Sequence, residues 1–408
     1  MESAKMKLEV RQAVDAFKEM LIGLSTEIHR TPELSCEEHK AAQLISKTMR
    51  ETGFEIEERI AGLETAFRAT HPSRSHGPTV AFLAEYDALP GVGHACGHNL
   101  IAGSAVGATL AVGKIKERLP GTLQIIGCPA EEKYGGKIVM VEKGVFDQVD
   151  VAMMIHPTTK NSGTQKHLTL VPLEISFEGK SSHASTAPEQ GINALSAVIQ
   201  TFNTVNALRE HLSSDASIHG IITRGGERTN IVPDFAQCQF SIRSTCITHR
   251  NELEEKVKNC ARGAALAIGC KVRFNYFDRV YEPMRINECL DRAFLSNLES
   301  LGVNISREVG QERGSTDAAN LSQLVPLLHA NVAIASEGIK LHTKEFAQAA
   351  SSEAGMRAMI YAAKALSMTA VDVFTSETLI KEIKEEFAKG EVISLLYRNE
   401  LKPEYAEG

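Results

Sequence analysis

Three apolar, β-rich runs in the first half of the chain each end in side chains that bind protons or metal ions. The run over 79–84 leads into Glu85-Tyr86-Asp87 and then His94, Cys96 and His98. The run over 122–127 leads into Cys128-Pro129-Ala130-Glu131-Glu132, and the run over 149–155 into His156-Pro157. Helical patterns over 100–118 and 137–143 separate them. Alternation of this kind predicts an α/β domain in three layers, with helices packed on both faces of a mixed, largely parallel sheet. Ligands of such open sheets bind in the crevice beyond the carboxyl ends of the strands, which is where these polar residues fall.

Ahead of the first run, helical periodicity covers 8–30. A second helix is expected from Ser35 to Glu51, because Ser35 and Glu38 have capping-box spacing and Gly53 follows. The pattern changes near Val171. Strands are expected over 173–177, 218–223, 234–244 and 270–277, with helices over 193–211 and 248–268. The order β-α-β-β-α-β is the split arrangement of a ferredoxin-like domain. Residues 171–282 therefore read as an α+β domain inserted into a discontinuous first domain made of 1–170 and 283–408, whose later helices fall over 290–302, 351–369 and 377–389. A length of 408 residues suits two domains.

Composition removes several classes. Hydrophobic residues at 43% and charged residues at 23% describe a globular chain. The net charge of −7, with no run of Lys or Arg, argues against a nucleic-acid partner. No apolar run is long enough to span a bilayer, and the N-terminus has no apolar leader core, so no membrane partner is expected. The eight cysteines are scattered without a CxxC pair and read as reduced thiols, which points to the cytoplasm.

Cys96, His98, Glu132 and His156 offer the donor types that bind zinc-like ions, and His342 is a further donor from far along the chain. Five donors exceed the tetrahedral demand of one ion, so a two-metal site is expected, its ions roughly 3.5–4 Å apart. Adjacent glutamates can divide two tasks: Glu132 ligates, while Glu131 stays free as general base for a metal-activated water. Asp87 is expected behind a ligand, orienting it. Taken singly, each of these residues has an ordinary reading: a solvated loop for an acidic pair, a core position for a cysteine, the surface for a histidine. His167, His211, His219 and His249 lack comparable company and read as structural or surface residues.

At these positions the chain resembles the co-catalytic metallopeptidases related to aminoacylase and carboxypeptidase G, in their amidohydrolase branch. The resemblance is carried by EYDALPGVGHACGHNLIA over 85–102, PAEE over 129–132, GGK over 135–137, HP at 156–157, GKSSHAS over 179–185, GINA over 191–194, NIVP over 230–233 and GSTD over 314–317. It extends over nearly the whole chain, and within the branch it is strongest to dipeptidases of the β-alanyl-lysine type, then to p-aminobenzoyl-glutamate hydrolases. The resemblance implies metal ligation by Cys96, His98, Glu132, His156 and His342, with Glu131 as base and Asp87 orienting a ligand. It also implies that His183 polarises the substrate carbonyl, that Asn230 and Arg243 hold the substrate, and that the inserted domain acts as a lid and forms a homodimer. Better-known relatives carry His-x-Asp where this chain has Glu85-Tyr86-Asp87, so a ligand must come instead from the cluster around Cys96 and His98. A cysteine ligand favours Zn2+, while the branch is also associated with Mn2+.

The chemistry of His183 and Arg243 is intelligible without the resemblance. An imidazole in a polar turn can donate to a developing oxyanion, and a guanidinium fork suits a substrate carboxylate. The expected activity is metal-dependent hydrolysis of an amide or peptide bond in a small substrate, a dipeptide or an N-acyl amino acid. The alternatives are a p-aminobenzoyl-glutamate-type or N-acyl-amino-acid amidohydrolase and, in a different class, a catalytically silent binding protein on the same scaffold. Nucleobase deamination requires His-x-Glu with Pro-Cys-x-x-Cys, and serine hydrolysis a Gly-x-Ser-x-Gly elbow; neither pattern occurs.

Overall fold

The computed structural model describes residues 2–71, 75–310 and 314–389, together with the backbone of 404–406. The chain forms two compact units, one built from 1–166, 284–312 and 316–392, the other from 167–283, 313–315 and 393–408. Residues 311–313 and 390–403, which fall in the second stretch expected for the discontinuous domain, lie outside the described residues.

The first unit holds a seven-stranded sheet. Its strands are β1 (Glu55–Glu58), β2 (Phe67–His71), β3 (Thr79–Ala84), β4 (Thr122–Gly127), β5 (Val151–Thr158), β6 (Ser162–Thr164) and β11 (Leu327–Ala333). They lie in the order β1-β2-β4-β3-β5-β11-β6. The central four, β4, β3, β5 and β11, are parallel neighbours. Antiparallel β1, β2 and β6 flank them. β3 is buried along nearly its whole length, as a central parallel strand covered on both faces must be. The short strands β1 and β2 and the late strand β11 escaped the sequence pattern. β1 is mostly exposed and polar, and so carries no hydrophobic period.

Around this sheet lie α1 (Glu2–Arg30), α2 (His39–Glu51), α3 (His98–Gly113), α4 (Gly136–Glu142), α7 (Glu288–Ser300), α8 (Ala318–Ser322), α9 (Lys344–Ala350), α10 (Glu353–Thr375) and α11 (Glu377–Lys389). α3 is the most enclosed of them, buried from His98 through Val112. A helix apolar on every side belongs in the interior. Its small residues let α1 and α10 approach closely: a Cβ on Gly107 would lie 2.8 Å from Leu21 Cδ1. The helix that starts at His98 is thus clamped along its length, and its first turn is held in place.

The second unit runs β7 (Val171–Glu178), α5 (Ala194–Arg209), β8 (Ser217–Arg224), β9 (Phe235–Arg243), α6 (Ile247–Ile268), β10 (Lys271–Tyr276). A last strand, β12 (Glu404–Ala406), is added at one edge of its sheet, giving the order β12-β10-β7-β9-β8. All its pairings are antiparallel. Burial along β9 alternates residue by residue, because α5 and α6 cover one face of the sheet only. The C-terminal strand β12 joins this sheet rather than the first unit, a placement that three residues cannot signal by periodicity. No described helix is long and apolar enough to cross a membrane.

Candidate metal centre

The candidate residues of the first unit converge at the carboxyl ends of β3, β4 and β5; the last strand runs on through Thr158, so His156 lies within it rather than after it. After β3 the chain turns inward, and Tyr86 donates its hydroxyl to the Thr65 carbonyl at 2.6 Å while its ring stacks on Phe67. This anchors Glu85 and Asp87 on either side, both about 1% exposed. The loop then reaches Cys96, Gly97 and His98. Gly97 has φ +77°, and a Cβ there would lie 2.8 Å from Pro157 Cγ. Only glycine suits a left-handed position packed that tightly, and it lets Cys96 and His98 face a common point beside His156.

The turn after β4 is equally constrained. Ala130 has φ +60°, and a Cβ on Gly136 would meet the Pro129 carbonyl oxygen at 1.9 Å. Non-glycine residues hold left-handed conformations only where the surroundings impose them, and such strain gathers at functional sites. His342 is a second case, at φ +64°, with its N–H donated to the Ala95 carbonyl at 3.0 Å. That bond attaches the late histidine to the loop of Cys96.

Donor atoms of Cys96, His98 and His156 lie within 4.8 Å of one another, as do those of Cys96, Glu132 and His342. The two groups share Cys96. A third such group is His98, Glu131 and Glu132. His98 Nδ1–H donates to Asp87 Oδ1 at 2.8 Å, which leaves Nε2 directed at the cluster. His156 Nδ1–H donates to the Pro157 carbonyl at 3.0 Å with the same consequence. His98 Nε2 and Glu132 Oε1 are buried without a hydrogen-bond partner and stand 3.8 Å apart.

Charge sharpens this picture. Glu85, Asp87, Glu131, Glu132 and Asp317 bring five carboxylates to one buried region, and Lys137 is the one ammonium paired there among the described residues. Lys137 Nζ lies 2.5 Å from Glu85 and 2.7 Å from Asp317. Burial and the charges of Asp317, Glu85 and Glu132 hold the Glu131 carboxyl well above the usual carboxylate range. Burial pushes the Cys96 thiol up and lowers His156 to about 4. Burial opposes protonation of His98, but the charge and hydrogen bond of Asp87 outweigh it and raise that imidazole. Orphaned donors, excess negative charge and a mixed sulfur, nitrogen and oxygen set all fit divalent cations.

Sequence reasoning missed Lys137 and Asp317 as parts of this site, although both lie in motifs it singled out. Their pairing joins α4 to the N-terminus of α8 across 180 residues. It also passed over His329, whose ring lies 5.5 Å from that of His156.

His183, Asn230 and Arg243 belong to the second unit. His183 is exposed, and its Nδ1 accepts N–H bonds from Thr186 at 3.2 Å and Ser185 at 3.4 Å. That fixes the proton on Nε2 and makes the free edge of the ring a donor. Exposed Asn230 is adjacent, its carbonyl accepting from Ala184 N–H at 3.0 Å. Half-buried Arg243 donates to Ser315 Oγ at 2.6 Å, and burial lowers its pKa from the usual guanidinium value.

Residues 74–365 match the family model described as peptidase family M20/M25/M40. The Xaa-Arg dipeptidase of Mus musculus is 35% identical over 402 residues, covering 94% of this chain and 92% of that protein. One of the p-aminobenzoyl-glutamate hydrolase subunits of Escherichia coli (strain K12) is 27% identical over 454 residues, covering 92% and 94%. Among solved structures, the Bacillus subtilis YXEP protein, described as a dinuclear metal binding peptidase, superposes with a TM-score of 0.70 at 22% identity. It covers 88% of this chain and 99% of that one, a likeness that shows a shared fold.

Proposed function

Since the chain belongs to peptidase family M20/M25/M40, we propose that it hydrolyses the amide bond of a dipeptide at a two-metal centre, with Glu131 as general base. The observation that carries this reading is the sharing of Cys96 between two three-donor groups, with Glu131 beside them. Cys96, His98 and His156 would hold one ion, and Cys96, Glu132 and His342 the other. Divalent ions held by these donors would supply Lewis acidity. Zinc suits the cysteine best, and manganese is the alternative.

Each residue then has a task. Asp87 holds the His98 ring so that Nε2 points at the cluster. Glu131 takes a proton from the attacking water and returns it to the leaving nitrogen. His183 donates from Nε2 to the carbonyl oxygen as negative charge develops on it. Asn230 and Arg243 bind the substrate, the guanidinium pairing with its carboxylate.

Similarity to Xaa-Arg dipeptidases over nearly the whole of both chains favours dipeptides with a basic C-terminal residue. Similarity to a p-aminobenzoyl-glutamate hydrolase supports a second reading, cleavage of an aryl-glutamate amide. Amine release from a panel of β-alanyl-lysine, Xaa-Arg and neutral dipeptides, p-aminobenzoyl-glutamate and N-acetyl amino acids separates them. Turnover of the basic dipeptides alone supports the first; no turnover of any amide by zinc- or manganese-loaded protein refutes the hydrolase reading and favours a silent scaffold.

The second unit supports homodimer formation. β8 is an edge strand with Ile221 and Ile222 exposed, and such edges pair readily with a second copy. Sedimentation of Ile221→Lys as a monomer, against a dimeric wild type, checks this. Eight free cysteines support residence in the reducing cytoplasm.

A further inference from the structure

The two residues whose spacing suggested a capping box are used otherwise. Helix α2 starts at His39, and the Glu38 side chain makes no cap hydrogen bond to it. Ser35 instead donates its hydroxyl to Asp87 Oδ2 at 2.8 Å. Glu38 is fully buried, and its carboxylate accepts three bonds. They come from Cys36 N–H at 3.0 Å, Thr65 Oγ at 2.8 Å and Ala130 N–H at 2.8 Å.

Ala130 is the left-handed residue immediately before Glu131. On the other side of Glu131, the N–H of Glu132 donates to Asp87 Oδ2 at 3.0 Å. The residues on either side of Glu131 therefore each have their N–H held by a different buried carboxylate. The Ala130 N–H belongs to the peptide before the left-handed Ala130 Cα, the Ala130 carbonyl accepts from Gly136 N–H at 3.1 Å, and the Glu132 N–H belongs to the peptide after the Glu131 Cα, so three successive peptide planes are pinned. The direction in which Glu131 and Glu132 leave the backbone follows from those three planes.

We propose that Glu38 is a positioning residue that, together with Asp87, sets the orientation of Glu131 and Glu132 by clamping the Pro129–Ala130 peptide ahead of them. The proposal rests on the roles given above to Glu131 as base and Glu132 as ligand. Glu38 touches no donor of the cluster; it acts across a separation of 92 positions in the chain, by accepting one hydrogen bond from Ala130 N–H.

The test uses the full-length protein loaded with zinc, with a cobalt(II)-loaded sample alongside. Glu38→Ala is expected to lower kcat about 100-fold, the order of loss for a roughly 1 Å misplacement of a catalytic group, with KM near the wild-type value. In the cobalt protein the d–d bands shift, reporting altered ligation by Glu132, while the thiolate-to-cobalt charge-transfer band of Cys96 remains. Thr65→Val removes another partner of the same carboxylate without touching Ala130; it lowers Tm and leaves kcat per folded molecule unchanged. Glu38→Gln keeps an acceptor oxygen for Ala130 and recovers most of the lost turnover. Should Glu38→Ala not fold, Glu38→Asp carries the comparison, since it keeps the charge but is one methylene too short to serve all three donors, and its kcat falls below that of Glu38→Gln. Wild-type kcat and unshifted cobalt bands in whichever of Glu38→Ala and Glu38→Asp folds overturn the proposal. Absence of amide turnover by the wild type sinks the proposed function instead, and the cobalt spectra then decide the role of Glu38 alone.

Discussion

The two units handle polar groups in opposite ways. In the first, carboxylates, imidazoles, a thiol and an ammonium are gathered at strand ends, all buried or half-buried except exposed His342, and the backbone is left-handed at Ala130 and His342. In the second, the sheet is packed on one face, and the residues proposed to meet substrate, His183 and Asn230, are exposed on turns. Burial strengthens every electrostatic interaction and penalises each unpaired group. The first unit therefore suits chemistry, which needs fixed charge. The second suits recognition, which needs donors accessible to a ligand.

That contrast can be broken most directly at the base. Glu131→Gln should lower kcat by about 10²–10⁴-fold, the usual contribution of a general base, with metal content by mass spectrometry unchanged. Near-normal turnover would remove chemistry from the first unit's paired glutamates. Paired charges offer a second comparison. Lys137→Met leaves Glu85 and Asp317 buried without their cation, and denaturant unfolding should show a loss of about 3–5 kcal/mol. The matched change Arg273→Met breaks an exposed pair with Glu178 in the second unit and should cost at most about 1 kcal/mol. Equal losses would erase the distinction between the units.

Acidic residues give a contrast of sign. Burial raises Asp291, in α7, to about 6. Its folded-state pKa lies above the unfolded one, so its contribution is fully present below the ordinary carboxylate range and is lost as pH rises through about 6. Tm of Asp291→Asn should therefore gain on the wild type between about pH 4 and about pH 7. In the second unit, hydrogen bonds from the Ser213 and Thr245 hydroxyls lower Asp215 to about 2. Its contribution is present above the ordinary range and is lost as pH falls through about 2, so Asp215→Asn should lose stability at neutral pH. Parallel pH profiles for the two variants would contradict the assignment. The smallest effect is expected at the recognition end: Arg243→Lys keeps the charge but loses the fork, and KM should rise about tenfold with kcat little changed.

Much of the candidate centre was legible because its donors are local. Cys96 and His98 share one loop, Glu131 and Glu132 one turn, and each segment follows a run whose apolar pattern marks it as a strand. Strand direction then brings those ends together in a parallel sheet without further information. The alternating pattern of the second unit was equally plain, because only one face of its sheet is packed.

Partners brought in from a distance were not legible. Glu38 had a local reading as a helix cap, with the right spacing to Ser35, and only the tertiary structure turned it toward Ala130. Lys137 read as an ordinary helix residue, yet its partners come from the end of β3 and the start of α8. Local order in the chain thus determined which elements form and which donors fall at strand ends, since period, turns and motif spacing act over a few residues. The tertiary structure decided which carboxylate holds which N–H and which charge meets the buried ammonium. Those pairings follow from excluding water around segments far apart in the chain, and no short-range pattern records them.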